Sequence, residues 1–168
     1  MYRVETIRKV GKAEYNQVVE FVMRLRKEIF PMLNHDQLPL DLLHFDQYYL
    51  DTEKSAFFAA FSEDGSVLGT IGVLPYDGRF EKLEHDDSAQ TAEIIKCYID
   101  PNYRRLGIGT ELVKEATRFS RHVGYRMNYL HTHPFLPGAV PFWEAQGYGI
   151  RLVETHSVWK TIHMDRQL

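Results

Sequence analysis

Two arginines and two glycines form the segment of this sequence whose residue types and spacing most clearly suggest chemistry. The segment is Arg104-Arg105-Leu106-Gly107-Ile108-Gly109, and it follows residues 92–99, whose β-branched and apolar content predicts a buried strand. Where a strand passes through such a turn into a helix, unpaired backbone N–H groups and the positive end of the helix dipole point at one spot. Glycines let the backbone approach a pyrophosphate closely, and arginines add positive charge. The segment therefore predicts a phosphate-binding turn.

Two common phosphate-binding motifs do not match this turn. No Gly-Lys-Ser/Thr follows the glycines, as a P-loop requires, and the dinucleotide fingerprint needs three glycines with an acidic residue further on. The structural alternative is that the glycines only tighten a strand-to-helix turn.

The turn resembles the signature of the GNAT superfamily of acyl-CoA-dependent N-acetyltransferases, which is Gln or Arg, two residues, Gly, one residue, then Gly or Ala. Arg104, Gly107 and Gly109 match it. Residues 99–103 (Ile-Asp-Pro-Asn-Tyr) resemble the family's strand exit, and residues 139–148 resemble its later helix motif. The resemblance implies a mixed α/β fold of the α+β-like kind, forming a single domain over residues 1–168. Its central sheet would be mostly antiparallel, splayed between two central parallel strands and flanked by helices.

The resemblance also implies acetyl-CoA as the cosubstrate and a small-molecule or peptide amine as the acceptor. The cofactor would lie where the two parallel strands splay, with its pyrophosphate on the amides of residues 105–110 and its pantetheine paired with the backbone of the preceding strand. The expected cofactor-binding residues are Tyr98, Ile99, Arg104, Arg105, Leu106, Gly107, Ile108, Gly109 and Thr110.

Glu93 is the expected general base. A lysine-type amine has a pKa near 10.4, so forming its neutral nucleophile at neutral pH costs roughly 4 to 5 kcal/mol. Glu93 is a carboxylate inside an otherwise apolar strand, and family members often have a catalytic glutamate there. The alternative is a strand-end carboxylate paired with a Lys or Arg. A backbone N–H near Tyr98 would stabilise the oxyanion, and we expect neither a metal nor a covalent intermediate.

Two departures from the family pattern concern proton donation and cofactor contact. Trp143 stands where the family often has a tyrosine that protonates the departing thiolate, and an indole cannot act as that acid. His131, His133 and Tyr98 are the candidate replacements, with His131 the one we assign, although each histidine could equally be an ordinary hydrogen-bonded residue. Solvent could also suffice, since a thiol pKa is near 8.5. The family's Asn before the later helix has no counterpart in residues 133–138.

These departures motivate a second hypothesis, a non-catalytic acyl-CoA-binding or regulatory module.

The composition limits the classes of binding partner. The 20 Lys and Arg against 23 Asp and Glu give a net charge of −3, which argues against nucleic acid and membrane surfaces as partners. Cys97, the only cysteine, fits a strand in the core better than a nucleophile. The first residues lack the apolar segment of a secretion signal, so we expect a cytoplasmic protein, with a homodimer left open.

The elements that must position these residues follow from apolar periodicity and from turn residues. The predicted strands are residues 2–8, a hairpin at 56–61 and 67–74, 92–99, about 126–132, 150–154 and 157–164. Two helices are predicted in the first third of the chain, from Tyr15 to near Pro31 and from Leu40 to Leu50. A third helix begins after Gly109 and ends at Gly124, and a fourth spans residues 139–146 and ends at Gly147.

The resemblance also implies that three loops form the acceptor site, namely residues 31–39, 75–90 and 131–138. Glu84, Asp86 and Asp87 in the second loop could attract a cationic amine. A solvated acidic loop is the alternative interpretation of that cluster.

Overall fold

Seven strands pair into one sheet within the residues that the computed structural model describes, which are 4–81, 83 and 88–168. In chain order they are β1 (Val4–Lys9), β2 (Ala56–Ser62), β3 (Val67–Pro75), β4 (Thr91–Ile99), β5 (Met127–Thr132), β6 (Gly149–Val153) and β7 (Ile162–Gln167). The sheet order is β1-β2-β3-β4-β5-β7-β6. Only the pairing of β4 with β5 is parallel, so the expected mixed, mostly antiparallel sheet is confirmed.

Helices cover both faces of this sheet. They are α1 (Tyr15–Ile29), the single turn α2 (Leu40–Leu43), α3 (Ile108–His122) and α4 (Ala139–Ala145). α1 packs on one face through Val18, Phe21, Val22 and Leu25. α3 packs on the other through a stripe that includes Leu112, Val113, Ala116 and Phe119. Because both faces are covered, β2 is buried at every residue, which explains its continuous apolar run.

The central feature is the divergence of β4 from β5. Their parallel pairing covers only Thr91, Ala92 and Glu93 of β4. Beyond it, β4 carries a bulge at which Lys96 and Cys97 together oppose Ile71 of β3, and Lys96 takes a φ of 50°. The hydroxyl of Thr70 donates to the Lys96 carbonyl at 2.9 Å, which holds the bulge. A bulge bends a strand, so β4 turns away from β5 and leaves a gap in the sheet.

Two predicted elements were wrong in extent. The helix predicted from Leu40 to Leu50 is broken, because α2 ends after one turn and a π-helical turn, Asp46–Leu50, follows it. This break directs Leu42, Phe45 and Tyr49 together into the core. The last strand starts at Ile162, because residues 154–161 form a turn in which Lys160 has a φ of 47°. The strand predicted at 2–8 is observed as β1, with residues 1–3 outside the described part.

Candidate active site

A single cleft of about 1890 Å³ occupies the gap between β4 and β5. One arm reaches the N-terminus of α3, where the cleft is lined by Arg104, Arg105, Gly107, Ile108, Gly109 and Thr110. The other arm opens between α1, α2 and the segment after β5. Glu93 and His131 line the cleft where β4 and β5 part. The topology therefore joins the predicted phosphate turn and the predicted catalytic residues in one continuous space.

The N-terminus of α3 is built to receive an anion. Gly107 is the N-cap residue with a φ of 86°, and no side chain caps the helix. The first N–H groups of a helix have no intrahelical acceptor, so they remain available at the positive end of the dipole. A side chain at Gly107 would be strained by its backbone angle, although space around it is open. Arg105 also has a positive φ, 62°, in this turn.

Gly109 is required for a different reason, which is packing between α3 and α4. A Cβ at this position would lie 3.1 Å from the Phe142 ring. The side chain of Gln146, just after α4, also donates to the Thr110 hydroxyl at 3.1 Å. α4 therefore sits directly against the first turn of α3 and forms a wall of the cleft beside the phosphate turn.

The predicted cofactor residues fit a long ligand that carries phosphates. Tyr98 and Ile99 line the cleft on β4, beyond the last residue that pairs with β5. Their strand edge offers main-chain groups to a ligand lying in the gap. Leu106 is the exception, because its side chain is 52% exposed and does not line the cleft. It can contribute to the turn only through its backbone.

Glu93 is paired with Arg79, a residue that the sequence did not single out. The guanidinium donates to both carboxylate oxygens of Glu93 at 2.6 Å, and one of its nitrogens also donates to Asp77 at 2.9 Å. The hydrogen bonds that Arg79 donates to Glu93 outweigh burial and raise the pKa of Arg79. The ion-pair alternative for Glu93 is therefore realised, while its carboxylate still lines the cleft.

His131 lies beside this ion pair, with its Nδ1 3.7 Å from an oxygen of Glu93. That distance is too long for a hydrogen bond, and among the described residues this buried nitrogen has no hydrogen-bond partner. Burial, followed by the positive charge of Arg79, lowers the pKa of His131 to about 4. The imidazole is therefore neutral at pH 7, and the expected role of His131 as a proton donor stays a prediction.

Burial also determines the protonation of the other candidate proton donors and of the cysteine. Burial raises the pKa of Tyr98 and of the Cys97 thiol, each to about 12, so Tyr98 keeps its proton and Cys97 is not a thiolate. His133 stacks on Phe135, and burial lowers its pKa. Trp143 packs edge-on against the Tyr148 ring at 5.2 Å between centroids, in agreement with a packing role for both.

A second ion pair lines the acceptor side of the cleft and was also missed in the sequence. The ammonium of Lys96 lies 2.9 Å from the Asp41 carboxylate, which also accepts a hydrogen bond from the Tyr49 hydroxyl at 2.7 Å. Asp41 and Lys96 are 55 residues apart, so only the bulge in β4 and the placement of α2 bring them together. No sequence signal identified this contact.

The predicted acceptor loops contribute unequally to the cleft. Residues 75–90 provide Asp77 and Arg79, and residues 131–138 provide His131, His133 and Phe135. From the described residues of 31–39, none lines the cleft, and the adjacent Phe30 and Leu40 do so instead. Glu84, Asp86 and Asp87, predicted to attract a cationic amine, lie outside the described residues.

Comparison with known proteins agrees with this geometry. The family model described as "Acetyltransferase (GNAT) family" matches residues 19–148. The chain belongs to this family. It is 27% identical over 137 residues to N-acetyltransferase 8 of Homo sapiens, a match covering 74% of this chain and 56% of that protein. It is 29% identical over 114 residues to the probable N-acetyltransferase camello of Xenopus tropicalis, covering 68% and 48%. The GNAT chain thus spans about half the length of these relatives.

Solved structures share the fold of this GNAT chain at low sequence identity. An acetyltransferase of the GNAT family from Staphylococcus aureus has a TM-score of 0.78 at 21% identity and covers 97% of this chain and 98% of its own. The PaiA N-acetyltransferase of Thermoplasma acidophilum, solved in complex with coenzyme A, has a TM-score of 0.70 at 16% identity and covers 97% and 98%. The expected fold is therefore confirmed.

No helix in the part of the chain that the structure describes has the length and apolar character needed to cross a membrane. Within the same residues, no group of three or more His, Cys, Asp or Glu side chains is arranged to hold a metal ion.

Proposed function

We propose that this GNAT chain transfers an acetyl group from acetyl-CoA to a primary amine by direct attack of the amine on the thioester. The observation that carries the proposal is the single cleft that joins the uncapped N-terminus of α3 to Glu93 and His131. A phosphate-bearing cosubstrate fits one arm, and its acyl end would reach the point where β4 and β5 part. The amine would enter from the other arm.

In this proposal Glu93 and His131 receive the amino group. An ammonium at this point of the cleft could donate a hydrogen to the Glu93 carboxylate, with the neutral imidazole of His131, whose side chain is 31% exposed, beside it. Each carboxylate oxygen retains acceptor capacity beyond its bond to Arg79. The proton to be removed would pass to Glu93, directly or through water.

Bond formation would be helped by the backbone of β4. Beyond Glu93, the β4 edge that faces the gap has no described pairing with β5, so an N–H near Tyr98 can stabilise negative charge on the reacting carbonyl oxygen. Because His131 is neutral and Trp143 cannot donate to a thiolate, solvent or the protonated Tyr98 would supply the proton for the departing thiol.

The test is thiol release from acetyl-CoA in the presence of amines, amino acids, polyamines and peptides, together with the shift in melting temperature that CoA causes. Glu93→Gln should lower kcat/KM by about tenfold to a hundredfold while leaving the CoA-induced shift intact, since general-base catalysis contributes in this range. Unchanged turnover of this variant at every pH would eliminate the base role of Glu93.

A non-catalytic acyl-CoA-binding module is the second candidate, favoured by the burial of Trp143 in the position of the expected acid. It predicts a CoA-dependent thermal shift without thiol release for any amine. Absence of a CoA-dependent shift would contradict both candidates. A cytoplasmic location, a homodimer and the lack of nucleic-acid or membrane partners stay predictions.

A further inference from the structure

Four aromatic rings form a wall at the mouth of the acceptor arm, which is the part of the cleft between α1, α2 and the segment after β5. Phe135 and His133 stack with 5.2 Å between centroids and 9° between planes. Phe30 meets both rings edge-on, at 5.8 Å from Phe135 and 6.0 Å from His133. Trp159, from the turn between β6 and β7, lies 5.7 Å from His133. These four residues, called here the aromatic wall, come from three separate parts of the chain.

Three members of the aromatic wall, Phe30, His133 and Phe135, line the cleft, and Phe135 is 42% exposed. Two other exposed apolar side chains, Leu40 and Tyr48, line the same cleft. Exposure of large apolar groups beside a polar centre is typical of a binding site for the apolar part of a ligand.

The wall continues directly from the reacting centre. His131, which lies beside Glu93, has its ring 5.9 Å from that of His133. A ligand whose amino group meets Glu93 and His131 would therefore have the remainder of its body against His133 and Phe135. This continuity brings the wall within reach of a ligand held at Glu93 and His131.

We propose that the acceptor is a small primary amine carried on a flat aromatic body, with its ring against Phe135 and its amino group directed to Glu93 and His131. This assignment rests on the proposed acetyl transfer and names the substrate class of that site. Aromatic rings stack offset or edge-on, and the wall offers both a ring face and ring edges.

Arg79 and Lys96 do not favour a carboxylate on the acceptor. Arg79 is occupied by Glu93 and Asp77, and Lys96 is occupied by Asp41. A carboxylate on the acceptor would have to displace one of these partners and give up its own hydration. An uncharged ring makes neither demand.

The experiment uses three amines that share one carbon chain, n-butylamine, 4-phenylbutylamine and putrescine, which end in hydrogen, a phenyl ring and a second amino group. Thiol release should give 4-phenylbutylamine a kcat/KM about tenfold above the other two. Phe135→Ala should remove most of that advantage, so that the ratio of kcat/KM between 4-phenylbutylamine and n-butylamine falls toward one. Ile150→Ala is the matched control, because Ile150 is exposed on β6 and does not line the cleft.

Binding of the same amines to the CoA-loaded protein, measured by calorimetry, separates this inference from the proposed function. Preference for the phenyl amine without thiol release would refute acetyl transfer and retain the aromatic site. Equal values for the three amines, preference for putrescine, or an equal loss for all amines in Phe135→Ala would overturn the aromatic site even if acetyl transfer is found.

Discussion

Replacing Arg79 with methionine removes the charge that faces Glu93 while keeping a long side chain at that position. The guanidinium contributes two hydrogen bonds of 2.6 Å to a carboxylate whose side chain is only 5% exposed. The Arg79 side chain itself is 40% exposed. Arg79→Met therefore leaves Glu93 buried without its main partner, and the loss falls chiefly on the carboxylate.

The expected loss in the free energy of unfolding of Arg79→Met lies between two limiting cases. Breaking a fully buried ion pair costs about 3–5 kcal/mol, whereas an exposed pair contributes about 0–1 kcal/mol. Since one partner is buried and the other is partly screened by solvent, we expect a loss of about 2–3 kcal/mol in the free energy of unfolding. For a domain of this size, that corresponds to a decrease of roughly 5–10 °C in melting temperature.

Urea unfolding of Arg79→Met, Glu93→Gln and the double variant measures the pairing directly. The double variant should be more stable than the sum of the single losses predicts, with a coupling energy of about 2 kcal/mol. Arg151→Met is the control, because the Arg151 side chain is 52% exposed and lies 3.6 Å from Asp165. A cost for Arg79→Met no larger than that of the control, or additive single losses, would refute the reasoning.

The same variant reports on catalysis. Because the two hydrogen bonds from Arg79 hold the Glu93 carboxylate in place, Arg79→Met should lower kcat/KM in the thiol-release assay, and adding Glu93→Gln to it should cause little further loss. Losses that simply multiply in the double variant would mean that the two residues act independently.

Two other perturbations test the cofactor arm and the neutral histidine. Gly109→Ala should weaken CoA binding about fivefold or more by calorimetry, because the new methyl group displaces the Phe142 ring from the start of α3. Gly149→Ala is the control and should bind CoA normally, because a Cβ at Gly149 meets no neighbour within 4 Å. The pKa of His131 falls from 6.5 to about 4 on folding, so the unfolded chain binds more protons than the folded one between these pH values. The wild type therefore loses stability as the pH drops from about 6.5 to 4. The loss is at most about 3 kcal/mol, because the His131 side chain is 31% exposed. His131→Asn should flatten this dependence in urea unfolding at pH 7 and pH 5, and parallel curves for the two proteins would contradict it.

Elements governed by local rules were predictable from the sequence. The hairpin of β2 and β3 carries apolar runs on both sides of a short polar turn, and α3 begins at the glycines that its N-terminus requires. Gly124 and Gly147 follow α3 and α4 with φ values of 95° and 90°, as glycines after helix ends do. In each case the residues that determine the structure are neighbours in the chain.

Features that depend on distant contacts were not predictable. Arg79 reaches Glu93 from an irregular segment 14 residues earlier, and no local sequence rule predicts the path of that segment. The aromatic wall requires the turn before β7 to approach the segment after β5. The break after α2 is decided by the burial of Phe45 and Tyr49 against β2, where both rings pack on Phe57. Tertiary packing overrides local helix propensity at such positions.

The pairing of Glu93 changes the kind of contribution that this residue can make to the proposed reaction. The sequence left two alternatives open, a base or an ion-pair partner, and the structure places a paired carboxylate inside the cleft. A carboxylate bonded to a guanidinium still attracts an ammonium. With neutral His131 beside it, Glu93 is suited to hold the amine and also to take its proton, directly or through water that enters from the open acceptor arm. Arg79 would thus orient the carboxylate that performs both steps.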